Sequence, residues 1–206
     1  MRSNKHQHTP RFVVEDKSLE ESLSSKSPVI AHPLFLPDQT IQYFGAVNAS
    51  NNEHVMDEIK TRMHIAPDKE LYMIVTSSGG STGCAMSFYD TMQYVLRPHL
   101  ITIGSGDVDT SSMLVLLSGQ KRFVTKNTTV LLHLATRSFD SGRKYTASEM
   151  ESMAKEDRVK DEQYAYILSD RGKNLTTHEV LEMMEENTIL TPRELFALGL
   201  IEGILE

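Results

Sequence analysis

Hydroxyl side chains, a histidine and a glycine pair are the residues of this sequence best suited to chemistry. Thr110, Ser111 and Ser112 stand directly before an apolar run, and His133 follows another. A hydroxyl activated by an imidazole is a common nucleophile, and glycine amides such as those of Gly79-Gly80 can hold an oxyanion. The set indicates an acyl-transfer site. Without further context, however, Thr-Ser-Ser before an apolar run is more often a helix N-cap.

Two predicted strands must bring these residues together. Residues 71–76 and 100–104 are short apolar runs typical of strands covered on both faces. The glycine pair follows the first strand, and the hydroxyl run follows the second. Because parallel strands end at the same edge of a sheet, both groups are expected at one edge. A further strand over residues 128–132 ends next to His133.

The rest of the chain alternates between strand and helix signals. Residues 41–47 read as an early strand, followed by a helix with Ser50 or Asn51 as N-cap. Leu200-Ile201 reads as the last strand. Three helices are predicted to begin at capping boxes, whose first residues are Thr146, Thr176 and Thr191. This alternation predicts an α/β layered fold.

Composition and length limit the classes of function. A chain of 206 residues suits one domain. The net charge of −7 argues against nucleic acid or an anionic membrane as the main partner, and the apolar runs are too short to span a bilayer. The single cysteine, Cys84, fits a reducing compartment, so a cytoplasmic location is expected.

The first 30 residues are polar and are expected to form a flexible extension, with a single domain over residues 31–206. His6 and His8 lie in this extension, where two histidines are weak grounds for a metal site. We therefore expect neither a metal nor a cofactor.

Several motifs, in order and with matching spacing, resemble the proteolytic subunit of the Clp protease. That family has N-S-P-G-G, then Y-D-T-M-Q after a gap of the same length as here, and later K-R-F, V-M-I-H and L-S-A-x-E-A…Y-G-L-V-D. The corresponding segments are residues 76–80, 89–93, 121–123, 130–133 and 190–202. The resemblance covers roughly residues 34–205. It implies an α/β fold of the Clp-protease and crotonase type, a layered βαβ superhelix with a protruding handle helix in a region of about residues 134–172.

The family is a serine peptidase with a Ser-His-Asp triad, and the resemblance places this triad on the sequence. Thr110 falls on the serine, although a slip of one or two residues would place Ser111 or Ser112 there. His133 falls on the general base and Asn187 on the aspartate. The backbone amides of Gly80 and Ser111 fall on the oxyanion donors.

Two triad positions thus depart from the family pattern. The methyl group of a threonine crowds its own hydroxyl, and an internal Thr110 lacks the N-terminal amine that usually activates threonine nucleophiles. Asn187 can orient an imidazole but cannot stabilise an imidazolium by charge, and a comparable change in a serine protease lowers kcat about 10⁴-fold. Asp107 and Asp109 also place negative charge beside the expected oxyanion.

The resemblance implies an endopeptidase subunit that degrades unfolded polypeptides inside stacked rings, expected to be two heptamers. A separate hexameric AAA+ unfoldase ATPase would feed substrate, since the sequence has no Walker-type phosphate loop. The first alternative is an inactive homologue, a structural or regulatory ring subunit that assembles alone or with an active paralogue. A crotonase-like acyl-CoA enzyme and a membrane-associated Ser-Lys peptidase are weaker alternatives.

Overall fold

The fold is built on a six-stranded parallel sheet with strand order β1-β8-β5-β4-β3-β2. The computed structural model describes residues 29–30, 37–139 and 141–206. The strands of this sheet are β1 Val29–Ile30, β2 Thr40–Phe44, β3 Leu71–Ser77, β4 Leu100–Val108, β5 Lys121–Thr125 and β8 Gly203–Leu205. A separate antiparallel pair consists of β6 Val130–Leu131 and β7 Ile189–Leu190.

Six α-helices accompany the strands of the described chain, which confirms the predicted α/β fold. They are α1 Ala49–Ile65, α2 Thr82–Asp90, α3 Ser111–Leu117, α4 Ala147–Arg171, α5 Thr177–Glu185 and α6 Pro192–Ala197. Helix α2 continues as a π-helical segment, Thr91–Leu96, and Arg97 ends it in a left-handed conformation just before Pro98. Crossover helices between parallel strands explain why the sheet is covered and its strands are apolar.

Helix α3 lies at the centre of the hydrophobic core, and every one of its residues is buried. The Met113–Leu117 side chains are all fully inaccessible to solvent. A helix that is apolar all round is stable only when it is enclosed on all sides. The turn that leads into α3 is therefore joined directly to a fully buried part of the core.

Helix α4 has two different halves. The residues of its first half, 147–160, include none that is buried, whereas Asp161, Tyr164, Ala165 and Leu168 of the second half are buried. The helix begins at the predicted capping box of Thr146 with Glu149. Only the second half therefore contributes buried residues to the core, and this helix occupies the predicted handle region.

Two predicted boundaries were wrong for local reasons. The N-cap of α1 is Asn48, whose side chain accepts a hydrogen bond from the Asn51 amide, so Ser50 and Asn51 lie in the first turn. The Leu200 amide donates to the Leu195 carbonyl and completes the end of α6, and the last strand is therefore β8. The capping boxes at Thr176 and Thr191 form as predicted. Residues 1–28 of the predicted extension lie outside the described residues.

Candidate active site

The candidate site lies where the neighbouring parallel strands β3 and β4 end. The last residue of β3, Ser77, pairs with the last residue of β4, Val108. The Asp109 amide donates a hydrogen bond of 3.0 Å to the Ser77 carbonyl, which joins the two strand ends. The glycine turn after β3 and the hydroxyl run after β4 are therefore adjacent, as the strand order predicts.

The glycine turn is closed by Val47. The Val47 amide donates to the Gly79 carbonyl at 3.0 Å, and the Ser81 amide donates to the Val47 carbonyl at 2.8 Å. Gly79 and Gly80 have φ angles of 92° and 154°, and a β-carbon on Gly80 would lie 2.4 Å from the Val47 oxygen. Glycine is thus required at residue 80 by both conformation and space. Within the described chain the Gly80 N–H has no acceptor, so it is available to a ligand.

Thr110 has a strained backbone, with φ 42° and ψ −108°. A β-branched residue with positive φ is an outlier that the surrounding structure must hold in place. Hydrogen bonds to its main chain do so: the Thr110 amide donates to the Leu131 carbonyl at 2.7 Å, and the Thr110 carbonyl accepts from the Tyr164 hydroxyl at 2.8 Å and from the Met113 amide at 3.0 Å. The Thr110 hydroxyl makes no N-cap hydrogen bond and instead donates to Leu131 O at 3.2 Å.

The two serines that follow point away from solvent. The Ser112 hydroxyl lies within hydrogen-bonding distance of the Ser77 and Asp109 carbonyls, at 2.9 and 2.8 Å, and is fully buried. The Ser111 hydroxyl is also fully buried and has no hydrogen-bond partner in the described chain. Among the three hydroxyls, only that of Thr110 belongs to a residue that lines the adjacent cavity. The Ser111 amide lies close to the glycine turn, 3.7 Å from where a β-carbon on Gly79 would be.

His133 follows β6 and is held by its own main chain. Its Nδ1 lies 2.7 Å from the Leu134 carbonyl oxygen. Because a carbonyl can only accept, Nδ1 carries the proton in this arrangement and Nε2 is left as the basic nitrogen. His133 is half-buried and lines the same cavity as Thr110 and Gly80.

Asn187 lies opposite His133 in the strand register, although the two side chains are bonded elsewhere. The antiparallel pairs Val130–Leu190 and Leu131–Ile189, followed by a hydrogen bond from Leu132 N to Thr188 O, bring residue 187 next to residue 133. The Asn187 side chain is exposed, and its Nδ2 donates to the Glu185 carbonyl at 3.4 Å. Among the hydrogen bonds of the described residues, none joins it to His133.

Two carboxylates lie near His133: Asp109, which was expected beside the oxyanion, and Asp161, which the sequence did not assign to the site. Asp109 Oδ1 accepts from the Leu131 amide, and Asp161 Oδ1 accepts from the Ala135 amide, both at 2.8 Å. Burial raises the pKa of both carboxyl groups, and the nearby His133 partly offsets this. A possible sequence signal for Asp161 was its place on the buried face of α4, together with Tyr164, Ala165 and Leu168, where an acid requires a partner.

The cavity beside Thr110 and His133 has a volume of about 450 Å³ and a mostly polar wall. Hydroxyl residues such as Ser78 and Thr136 line it, together with Arg137, Asp157 and Lys160. The Arg137 guanidinium binds the Asp157 carboxylate through two hydrogen bonds, at 3.0 and 2.6 Å. Hydrogen bonds to Asp157 and Glu156 raise the pKa of Arg137. The cavity is large enough for an amino-acid side chain.

The described part of the chain contains neither a candidate metal site nor a candidate membrane span. No group of three or more His, Cys, Asp or Glu side chains there is arranged to hold a metal ion. No helix there is both long and apolar enough to cross a membrane.

Comparison with known proteins points to one family. Residues 29–206 match the sequence profile of the Clp protease family. The chain is 26% identical over 162 residues to ATP-dependent Clp protease proteolytic subunit 1 of Thermobifida fusca, covering 77% of this chain and 70% of that protein. It is 28% identical over 188 residues to the protein of the same name in Corynebacterium glutamicum, covering 84% of this chain and 89% of that protein. The family profile spans most of the chain, and the chain therefore belongs to the Clp protease family.

Proposed function

We propose that this protein is an endopeptidase subunit in which Thr110 is the nucleophile and His133 the general base. The observation that carries the proposal is the strained Thr110 turn, which opens onto the cavity shared with His133 and Gly80. A strained residue at a strand-to-helix turn is typical of activated nucleophiles. A residue that only capped α3 would use its hydroxyl for the helix amides, and Thr110 does not.

The proposed reaction is an acyl transfer through a covalent ester. The Thr110 hydroxyl exchanges its hydrogen bond to Leu131 for one to His133 Nε2, which takes the proton as Oγ1 attacks the scissile carbonyl carbon. The amides of Gly80 and Ser111 hold the oxyanion. His133 then gives the proton to the leaving amine nitrogen, and a water molecule hydrolyses the ester by the same route.

Assembly into a ring-shaped chamber, expected to be two stacked heptamers served by an AAA+ ATPase, is part of this proposal. It is supported by the exposed first half of α4 and by exposed apolar residues such as Tyr94 and Val95. The two relatives are called ATP-dependent and are numbered as subunit 1. A cytoplasmic location fits the single, free Cys84.

The second candidate is a non-catalytic subunit of the same assembly. Asn187 favours this candidate, because its side chain is bonded to the main chain of Glu185 and cannot charge-stabilise an imidazolium. The existing bond from the Thr110 hydroxyl to Leu131 also favours it, since this bond must break before His133 can be engaged.

Labelling with a fluorophosphonate tests the proposal. The protein is first shown by light scattering to be assembled, and then labelled and analysed by intact mass and peptide mapping. We expect one adduct on Thr110, lost in Thr110→Ala and in His133→Ala but kept in Thr61→Ala, a surface threonine on α1. Absence of labelling and of peptide hydrolysis in assembled protein would favour the non-catalytic subunit, and a monomer or dimer would contradict the ring.

A further inference from the structure

The main chain around His133 is held from both sides by carboxylates. Two residues before it, the Leu131 amide donates to Asp109 Oδ1, and two residues after it, the Ala135 amide donates to Asp161 Oδ1. Both hydrogen bonds measure 2.8 Å. The two acids come from different elements, the turn before α3 and the buried part of α4, and His133 lies midway between the two bonded amides.

The orientation of the imidazole is already provided within the same segment. Since Nδ1 donates to the Leu134 carbonyl, no side chain at residue 187 is needed to select the Nε2-basic tautomer. What the Leu134 carbonyl cannot supply is a full negative charge facing the imidazolium that forms when His133 takes a proton.

We propose that Asp109 and Asp161 together replace the third member of the triad, as positioning residues that clamp the His133 segment and provide the negative charge favouring its imidazolium. The inference rests on the proposed role of His133 as general base. It assigns to two acids, the buried Asp161 and the half-buried Asp109, a role that the amide of Asn187 cannot fill.

The other charges around His133 do not cancel this effect. Asp107 and Asp157 have the same sign as the two clamping acids and raise their pKa values further. The cations that share the cavity with His133 are Arg137 and Lys160, and both are already paired, Arg137 with Asp157 and Glu156 and Lys160 with Glu156. Asp109 and Asp161 are the acids in contact with the segment itself.

Electrostatic coupling between two groups is reciprocal. Burial is the main reason why the pKa values of Asp109 and Asp161 are raised, and charge on His133 lowers both. The same Coulombic attraction acts on both partners, so ionised Asp109 and Asp161 attract a positive charge on His133. The two carboxylate contacts therefore predict a change in the chemical reactivity of His133, which can be measured without an assay of peptide hydrolysis.

Chemical modification of His133 by diethyl pyrocarbonate tests the inference, because the reagent acylates neutral but not protonated imidazole. The full-length assembled protein is treated at pH 6 and pH 8.5, and the modification rate of His133 is measured by peptide mass, with exposed His99 as internal standard. Asp161→Asn and Asp109→Asn each keep an oxygen that can accept the amide hydrogen bond. We expect His133 in each variant to react about two- to fivefold faster than in wild type at pH 6 and at the same rate at pH 8.5.

The matched control is Glu162→Gln, which removes one negative charge from the residue next to Asp161 but faces the groove on the other side of α4. It should leave the His133 rate unchanged at both pH values. Equal rates at pH 6 in wild type and both aspartate variants would overturn the inference. A rise at both pH values would also overturn it, since that result reports greater access rather than altered charge. A protein that never labels with fluorophosphonate but shows the pH 6 effect would refute the proposed catalysis and leave the clamp standing.

Discussion

The phenol of Tyr164 donates a hydrogen bond of 2.8 Å to the main-chain carbonyl of Thr110. Tyr164 is buried in the second half of α4, and burial raises the pKa of its hydroxyl, which therefore stays a donor. Thr110 has positive φ, a conformation that needs external support. A residue 54 positions away in sequence thus holds the turn of the candidate nucleophile.

Tyr164→Phe should therefore damage both stability and reactivity. The variant removes one of the two hydrogen bonds that the Thr110 carbonyl accepts and leaves the one from the Met113 amide at 3.0 Å, so the free energy of unfolding should fall by about 1 kcal/mol. Urea denaturation measures this, and fluorophosphonate labelling of Thr110 should slow in parallel. Tyr166→Phe is the control, since Tyr166 is 63% exposed on the same helix. Unaltered labelling of Tyr164→Phe would argue that the turn keeps its shape without this hydrogen bond.

Thr110→Ser should speed the reaction of residue 110. Loss of the γ-methyl group removes the steric crowding of the attacking hydroxyl, and we expect about a fivefold gain in labelling rate, which corresponds to about 1 kcal/mol. The rate with fluorophosphonate at a fixed pH is the measurement, and Thr61→Ser serves as the control. A slower Thr110→Ser variant would mean that the methyl group helps to hold the hydroxyl in place.

Gly80→Ala should disrupt the glycine turn after β3, whereas Gly83→Ala should not. A β-carbon on Gly80 would lie 2.4 Å from Val47 O and 2.9 Å from Val47 N, so the backbone must shift. We expect a loss of about 2 kcal/mol or more in the free energy of unfolding. A β-carbon on Gly83, in α2, would meet only Ser81 Oγ at 3.9 Å, and Gly83→Ala should be neutral or stabilising. Equal denaturation midpoints for the two variants would contradict the close contact with Val47.

Asp161→Asn should stabilise the protein at neutral pH. Burial raises the pKa of Asp161 above its value of 3.8 in a model compound, so the folded chain binds this proton more tightly than the unfolded chain. Asp161 therefore contributes to the free energy of unfolding at low pH. This contribution is lost as pH rises from about 4 through the pKa of Asp161 in the folded state. The variant removes that loss, and its melting temperature should exceed that of wild type at pH 7 by about 2 °C, with the difference shrinking towards pH 4. A difference that grows as pH falls would contradict the direction of the shift.

The sequence was sufficient to predict which edge of the sheet holds the site, because the patterns that indicate it are short stretches of consecutive residues. An apolar run followed by Gly79-Gly80, and a second one followed by Thr110, are short patterns that parallel pairing brings together. The strand that leads to His133 was likewise visible in sequence. The choice among three hydroxyls was not, because burial of Ser111 and Ser112 depends on how α3 enters the core.

The partners of His133 could not be deduced from residue types alone. The acceptor of its Nδ1 is a main-chain carbonyl, a group that every residue possesses. Asp161 contacts Ala135 across 26 positions of sequence, so only the docking of α4 reveals the link. Asp109 was interpreted as charge beside an oxyanion, whereas one of its oxygens is occupied by the Leu131 amide.

The two halves of α4 differ in exposure but belong to one continuous helix. Its exposed first half, residues 147–160, is about 21 Å long at the rise of an α-helix and is tied to Arg137 through Glu156 and Asp157. The second half carries Asp161 and Tyr164, which lie one turn apart. Asp161 contacts the segment around His133, and Tyr164 contacts the Thr110 turn. A displacement of the exposed first half would therefore move both of these contacts together, because they belong to one continuous helix.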